Sequence, residues 1–390
     1  MIVSLFWFSA AVIAYAYFGY PVWIYLLSRL CPHKWKQAEI YPSVSIILAV
    51  HNGADLLRKK INHLLSLDYP EELVEVVVVS DGSDDGTEQI LGELAHSRLV
   101  VVICPEHRGK ANALNHAISR ATGEILVFVD IRPKLEKSAL RQILSNFADP
   151  TVGCVAGELR LRIADHDAGT EAVSSLYWRY EQGIRKSEAM VDSPVGVYGG
   201  FYAVRRELAT AIPEGLILDD MYQPLCIVRR GFRSVIDDRA RVWDIWPKTS
   251  AAEFERKVRT LAGNYQLVQK TPWLLGRTNR LRFQLISHKL TRLVVPFLLV
   301  ILMLSSCLLR TSQPYTGFLM GQVVFYALAI VGLAWDTRVL RRIAGPASAF
   351  VLLNAAAVMA LFMFLFRPDS LLGLWVKREP ATEEQTIRAA

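Results

Sequence analysis

Residues 43–50 read SVSIILAV, residues 54–67 read ADLLRKKINHLLSL, and residues 74–81 read VEVVVVSD. The first is a short β-branched apolar run directly after Pro42. The second carries Leu57, Ile61, Leu64 and Leu65 at helical spacing, and Asp68-Tyr69-Pro70 closes it. The third is almost wholly apolar, the mark of a strand buried on both faces, as in parallel sheets. The pattern recurs outward through residues 99–103, a helix near 110–120 and the run ILVFV at 125–129. Strands alternating with helices of this length predict βαβ units and an open α/β sheet. Such sheets bind ligands beyond the carboxyl ends of their strands, which selects His51-Asn52, Ser80-Asp81 and Asp130. No GxGxxG follows a strand and no GxxxxGK[ST] occurs, so the dinucleotide and P-loop readings lose their main support.

Apolar stretches flank this block. Residues 1–28 carry no charged side chain, and about 20 apolar helical residues suffice to cross a hydrocarbon core. A cleaved signal peptide is the competing reading; the stretch lacks its basic start and its small-residue cleavage site. Three further candidate spans follow at 293–309, 311–335 and 343–366, the first short and containing Pro296. Arg29, Lys34, Lys36, Lys289, Arg292, Arg338, Arg341 and Arg342 flank the spans and orient the 39–292 block toward the cytoplasm by the positive-inside rule. Four alternating spans would then leave both termini on the opposite side, against which Lys377 and Arg378 count mildly. Between Trp273 and Arg292, apolar residues three to five apart are interleaved with arginines. This reads as a helix lying in the headgroup region or as a solvated connector.

Of the 390 residues, 52% are hydrophobic, and the formal net charge is +7. The basic excess sits beside apolar runs rather than in stripes, so it reports membrane orientation and excludes a nucleic-acid partner. Five scattered cysteines without a CxxC pair exclude a disulfide framework and a cysteine zinc site.

Seven segments appear in order: PSVSIILAVHNG, VVVVSDGSDDGT, RGKANALNHA, VFVDIRP, GELRL, LDDMYQPL and RKVRT. Together they resemble the family 2 glycosyltransferases with a GT-A fold, in particular the membrane-integrated branch that includes cellulose, chitin and hyaluronan synthases. The resemblance implies a mostly parallel mixed sheet with flanking helices, plus transmembrane helices at both ends. The expected organisation is a transmembrane helix at 1–30, a cytoplasmic GT-A domain at 39–270, an interfacial amphipathic helix at 271–292, three transmembrane helices at 293–366 and a polar tail at 367–390.

It further implies site residues. Asn52, Asp81, Lys110, Asp130, Arg256 and Arg259 would contact a nucleotide-diphosphate sugar, with Asp81 at the base or ribose and Lys110 at the diphosphate. A simple turn at Asp81-Gly82 and a solvated helix-start lysine are the alternatives. Asp130 would be the metal ligand for Mg²⁺ or Mn²⁺, although Asp130-Ile131-Arg132 puts arginine where the family's DxD element has its second carboxylate. Asp220 would be the catalytic base with Asp219 orienting it, unless the pair only caps a helix. Glu158, Gly200 and Tyr202 would face the acceptor. Tyr177-Trp178 and Trp243 or Trp246 could stack on sugars or simply pack in the core. Thr260 stands where processive members carry a tryptophan.

The expected activity is inverting transfer of a sugar, from a UDP-sugar by family analogy, to a growing polysaccharide or oligosaccharide. Single transfer to a lipid-linked acceptor, and a non-catalytic nucleotide-sugar-binding partner of a synthase, are the alternatives. A solute transporter would need ionisable residues inside the spans, which are absent. The expected setting is the lipid bilayer of a bacterial inner membrane, with an oligomer or accessory export subunit as further partners.

Overall fold

The computed structural model describes residues 1–162, 168–245, 250–334 and 338–367. Eight strands form one sheet: β1 (Val44–Val50), β2 (Val74–Asp81), β3 (Leu99–Cys104), β4 (Ile125–Val129), β5 (Lys134–Leu135), β6 (Val152–Arg162), β7 (Phe201–Arg205) and β8 (Arg233–Ile245). Their order is β3-β2-β1-β4-β7-β6-β8-β5. The first four pair in parallel. β7 runs antiparallel to both β4 and β6, so the mixed half begins where Asp130 leaves β4.

The parallel half is what the apolar runs dictate. Ile46, Ile47, Leu48, Val76, Val77, Val78, Val79 and Val127 are fully buried, alternate residues feeding opposite faces of the sheet. Each buried side chain of this size contributes roughly 1.5–3 kcal/mol of transfer free energy. The Ala54–Leu65 helix covers one face through Leu57, Ile61 and Leu64; the Lys110–Arg120 helix covers the other through Ala113, Leu114 and Ala117.

Among the described residues, four helices are long and apolar enough to cross a membrane: Ile2–Leu30, Arg282–Leu308, Tyr315–Ala334 and Ile343–Phe366. The first is joined to the sheet domain through a buried polar junction. Tyr20 donates to Glu188 at 2.6 Å, and His288 lies 2.9 Å from Glu188 and 3.0 Å from Glu181. Arg292 pairs with Glu181 at 2.8 Å.

Two expectations fail here. The amphipathic helix expected over 271–292 is not one helix. A short turn at Pro272–Leu275 is followed by non-helical residues, and helix resumes at Arg282 and runs on to Leu308. Its apolar residues Leu281 and Leu285 pack into the domain core, and Arg280 pairs with Asp192, so the interleaved pattern serves protein contacts. The last apolar helix does not carry its end away from the domain. Ala356 and Ala360 pack against Val258 and Ala262, and Phe364 stacks on Tyr265 at 5.5 Å. Small alanines permit that approach, and charge counting along the sequence has no access to it.

Candidate functional site

The carboxyl ends of β1, β2 and β4 open on one crevice. Asp81 closes β2 and is completely buried. Its carboxylate accepts the backbone N–H groups of Arg108 (3.0 Å) and Gly109 (2.8 Å), and His107 lies 2.9 Å away. His51 stacks on His107 with ring centroids 3.9 Å apart. Asp81 therefore fixes the loop that delivers Lys110, with Gly109 at a φ of +90° making the bend into the Lys110–Arg120 helix. The carboxylate expected at a base or ribose is, in this structure, enclosed by that loop. Asn52 is exposed and bonds through its amide to Asp84, with nitrogen to carboxylate 2.8 Å and oxygen to backbone N–H 3.0 Å. It holds the 83–84 loop over the end of β1.

Lys110 is the hinge of the site. Its Nζ lies 3.1 Å from Asp130 Oδ1 and 3.6 Å from Asp219 Oδ2. Burial opposes the ammonium charge, but Asp130, Asp219 and Asp220 together hold it above the usual lysine range. Asp219 and Asp220 open the Asp219–Arg229 helix, where the N-terminal dipole favours negative charge. Leu218 occupies the cap position, so neither aspartate is the helix cap that the alternative reading required.

The helix start is held from behind. Gln266 accepts from the Ile217 N–H (2.9 Å) and donates to the Gly215 carbonyl (2.8 Å). Gly263 meets Leu218 so closely that an added Cβ would sit 2.7 Å from its Cγ. Burial, then the neighbouring Asp219 charge, push the Asp220 carboxyl up to about 6, with Lys110 pulling the other way. Burial and Asp130 likewise raise Asp219 against Lys110. A carboxylate that titrates just below neutrality is suited to accept a proton.

Around Asp130 the structure adds residues that motif reading passed over. Lys60 is buried and donates to the Pro133 carbonyl at 2.6 Å, anchoring the turn after Asp130; burial lowers its pKa to about 8. The signal was present, since Lys60 interrupts the apolar stripe of Leu57, Ile61 and Leu64. Arg132 reaches Asp244 at 3.4 Å. Arg256 belongs to the same charged group: burial lowers its pKa, opposed by Glu253 and Asp244. Arg259 lies one turn further along the Ser250–Lys270 helix, half-buried.

The three residues expected at the acceptor are all enclosed by protein in this structure. Tyr202 is fully buried and stacks on Phe128 at 4.6 Å, because its place in β7 points it into the core. Gly200 is buried beneath the Tyr198 ring, which an added Cβ would meet at 2.6 Å, and its carbonyl accepts the Asp130 N–H. Glu158 is 4% exposed and paired with Arg160 (2.8 Å) and Lys186 (2.7 Å). Among the aromatics, Trp243 donates to Glu136, Trp178 to the Leu159 carbonyl, and Tyr177 lies under Lys257. Trp246 lies outside the described residues.

No cluster of three His, Cys, Asp or Glu side chains among the described residues could hold a metal ion by itself. Asp130, 27% exposed, is the one carboxylate directly at the end of β4. That donor set fits Mg²⁺ or Mn²⁺ only where phosphate oxygens and water complete the shell, a common arrangement for Mg²⁺.

Comparison with known proteins agrees with this architecture. Residues 45–210 match the model of the family described as Glycosyl transferase family 2. The poly-beta-1,6-N-acetyl-D-glucosamine synthase of Staphylococcus aureus (strain MSSA476) is 23% identical over 243 residues, 61% of this chain and 58% of the synthase. Its counterpart from Staphylococcus epidermidis is 23% identical over 268 residues, 67% of this chain and 64% of that one. The chain thus spans less than two thirds of the length of these curated relatives. A mannosyltransferase from Pyrobaculum calidifontis, solved in complex with GDP-Man and Mn²⁺, superposes with a TM-score of 0.71 over 94% of this chain and 99% of its own, at 23% identity. The fold is that of the GT-A glycosyltransferases.

Proposed function

We infer, from the match of residues 45–210 to the model of glycosyl transferase family 2, a membrane-bound inverting glycosyltransferase. It takes a sugar from a nucleotide-diphosphate donor and adds it to a growing polysaccharide or oligosaccharide. The observation that carries this reading is the convergence of Lys110 on both Asp130 and Asp219, with Asp220 adjacent and titrating near 6.

The chemistry follows from the placement. Lys110 supplies a fixed positive charge for the donor's diphosphate, and Arg256 and Arg259 lend further charge from the neighbouring helix. Asp220 takes the proton from the acceptor hydroxyl as the new C1–O bond forms, and the nucleoside diphosphate leaves from the opposite face. Asp219 faces Lys110 at 3.6 Å and holds that ammonium between the strand end and the helix start. Asp81 and Asn52 position the loops, and Lys60 positions the Asp130 turn. A Mg²⁺ or Mn²⁺ ion bound at Asp130 would neutralise charge on the leaving diphosphate. Apart from the 271–292 helix, the domain boundaries expected from the sequence and the cytoplasmic, inner-membrane placement of the domain belong to this same reading, with the bilayer as partner of the four apolar helices.

A second reading, single transfer to a lipid-linked acceptor, is compatible with the apolar recess among the helices lined by Ile13, Leu299, Phe325 and Phe350. The test is nucleoside diphosphate release by purified protein against a panel of nucleotide sugars. Release with one donor and a ladder of glycan products supports the polymerising reading. Strictly single-sugar products reject it in favour of the second, and no release with any donor rejects both.

A further inference from the structure

The Ala168–Val191 helix stands between the apolar helices and the loop behind Asp220. Glu181, Arg185 and Glu188 are spaced four and three residues apart, which puts them on one face of it. Toward the membrane, Glu188 accepts from Tyr20 of the first apolar helix at 2.6 Å, and His288 of the second lies 2.9 Å away. Glu181 pairs with Arg292 at 2.8 Å and lies 3.0 Å from His288, with Lys289 also against it. Tyr20 and Ile24 pack on Ile184, between the two glutamates. Burial works against the Glu181 charge, yet His288, Lys289 and Arg292 hold that carboxyl well below its usual range.

The same face also grips the domain. Glu188 accepts the Val195 N–H and Arg185 donates to the Val197 carbonyl, each at 3.4 Å. The Val197 N–H in turn donates to the Asp220 carbonyl at 3.0 Å. Gly199 follows, so near the base that an added Cβ would sit 3.0 Å from Asp220 Oδ2. Residues 195–199 are therefore clasped between this helix and the start of the Asp219–Arg229 helix.

Arg185 is divided between two partners. Its Nε is 3.6 Å from Glu181, beyond hydrogen-bond length, while Arg292 and Lys289 take that carboxylate at closer range. Its Nη1 is left to the Val197 carbonyl. Burial and Asp219 raise the Asp220 carboxyl, Lys110 and Arg185 oppose them, and Asp130 adds to the rise; Tyr202 feels the same carboxyl from β7.

We propose that Arg185 is a positioning residue for Asp220, and that the membrane-helix cations, by occupying Glu181, make the placement of the base depend on the apolar helices. This role rests on the glycosyltransferase reading of Asp220.

Full-length protein in detergent is assayed for nucleoside diphosphate release between pH 5 and 9. The Asp220 carboxyl is titrated separately, without turnover, from the infrared difference between the parent and Asp220→Asn. Arg185→Met should move both midpoints up by about half a pH unit, less than Lys110→Met. It should also lower the plateau kcat about tenfold, with KM for donor within twofold of the parent. Arg185→Lys keeps the charge and should restore the midpoint. Arg292→Gln frees Glu181 to draw Arg185 off Val197, so it should raise the midpoint in the parent and leave it unmoved in Arg185→Met. Lys289→Gln gives the same comparison where Arg292→Gln does not fold. A fall in kcat with no midpoint shift in Arg185→Met would reduce Arg185 to a packing role and overturn the proposal. Equal shifts from the junction variants in both backgrounds would overturn it too. An infrared midpoint that moves in Arg185→Met, with no turnover of any donor by the parent, would keep the placement of Asp220 and reject the transferase reading instead.

Discussion

Replacing Lys110 by Met keeps the length of the side chain and removes its charge. The ammonium lies 3.1 Å from Asp130 and 3.6 Å from Asp219, and it lowers the pKa of Asp220 from what burial and Asp219 would otherwise impose. At an effective dielectric of about 20, unit charges about 4 Å apart interact by about 4 kcal/mol. One opposite charge within ~4–6 Å typically holds a carboxylate about 1–3 pKa units lower.

The sign follows directly. Asp220 acts as base only when ionised, so kcat rises with pH through about 6 and levels off above it. Without Lys110 that rising limb should move up by about 1–2 pH units. Beyond a pH-independent loss from the missing charge on the diphosphate, the variant should lose about two- to tenfold in kcat at pH 7 and regain that part by pH 9, while its KM for donor rises at every pH. The assay is nucleoside diphosphate release at saturating donor between pH 5 and 9. A limb that stays in place, with activity scaled down equally at all pH values, would refute the coupling of Lys110 to the base.

Other perturbations separate the remaining roles. Gly199→Ala puts a methyl 3.0 Å from Asp220 Oδ2 and should lower kcat about tenfold by displacing the carboxylate, with donor affinity unchanged in titration calorimetry; an unchanged kcat would show that Asp220 tolerates the shift. His288→Ala leaves two buried glutamates without the ring between them and should cost about 3–5 kcal/mol, read as a fall in melting temperature in detergent. A melting temperature within one degree of the parent would mean that the junction contributes nothing. Chelation should depress turnover and be reversed by Mn²⁺ or Mg²⁺. Arg132→Asp should lower the metal concentration needed for half activity, whereas identical metal titrations would remove Asp130 from the shell.

The parallel half of the sheet was legible because buried strands cannot hide their composition: SVSIILAV, VEVVVV and ILVFV admit few other readings. The strand-end rule selected His51-Asn52, Ser80-Asp81 and Asp130, and the structure brings their loops together with Lys110 and Asp219. What the residues did not disclose is which side of a motif faces the crevice. Asp81 closes its strand yet is enclosed by the 107–109 loop, and Tyr202 points inward because a strand's alternation turns every second side chain toward the core. Glu158 is enclosed by Lys186, which is distant in the chain and invisible to local pattern. The same limit applies to the last apolar helix: hydropathy registers its length, and only packing reveals Ala356 and Ala360 against the domain.

Substituting Asp220 by Asn tests the central claim most directly, because it removes the base while preserving size. The account predicts donor binding near the parental affinity in calorimetry together with nucleoside diphosphate release reduced by about 10²–10⁴-fold, the usual worth of a positioned general base. Parental turnover in that variant would contradict it.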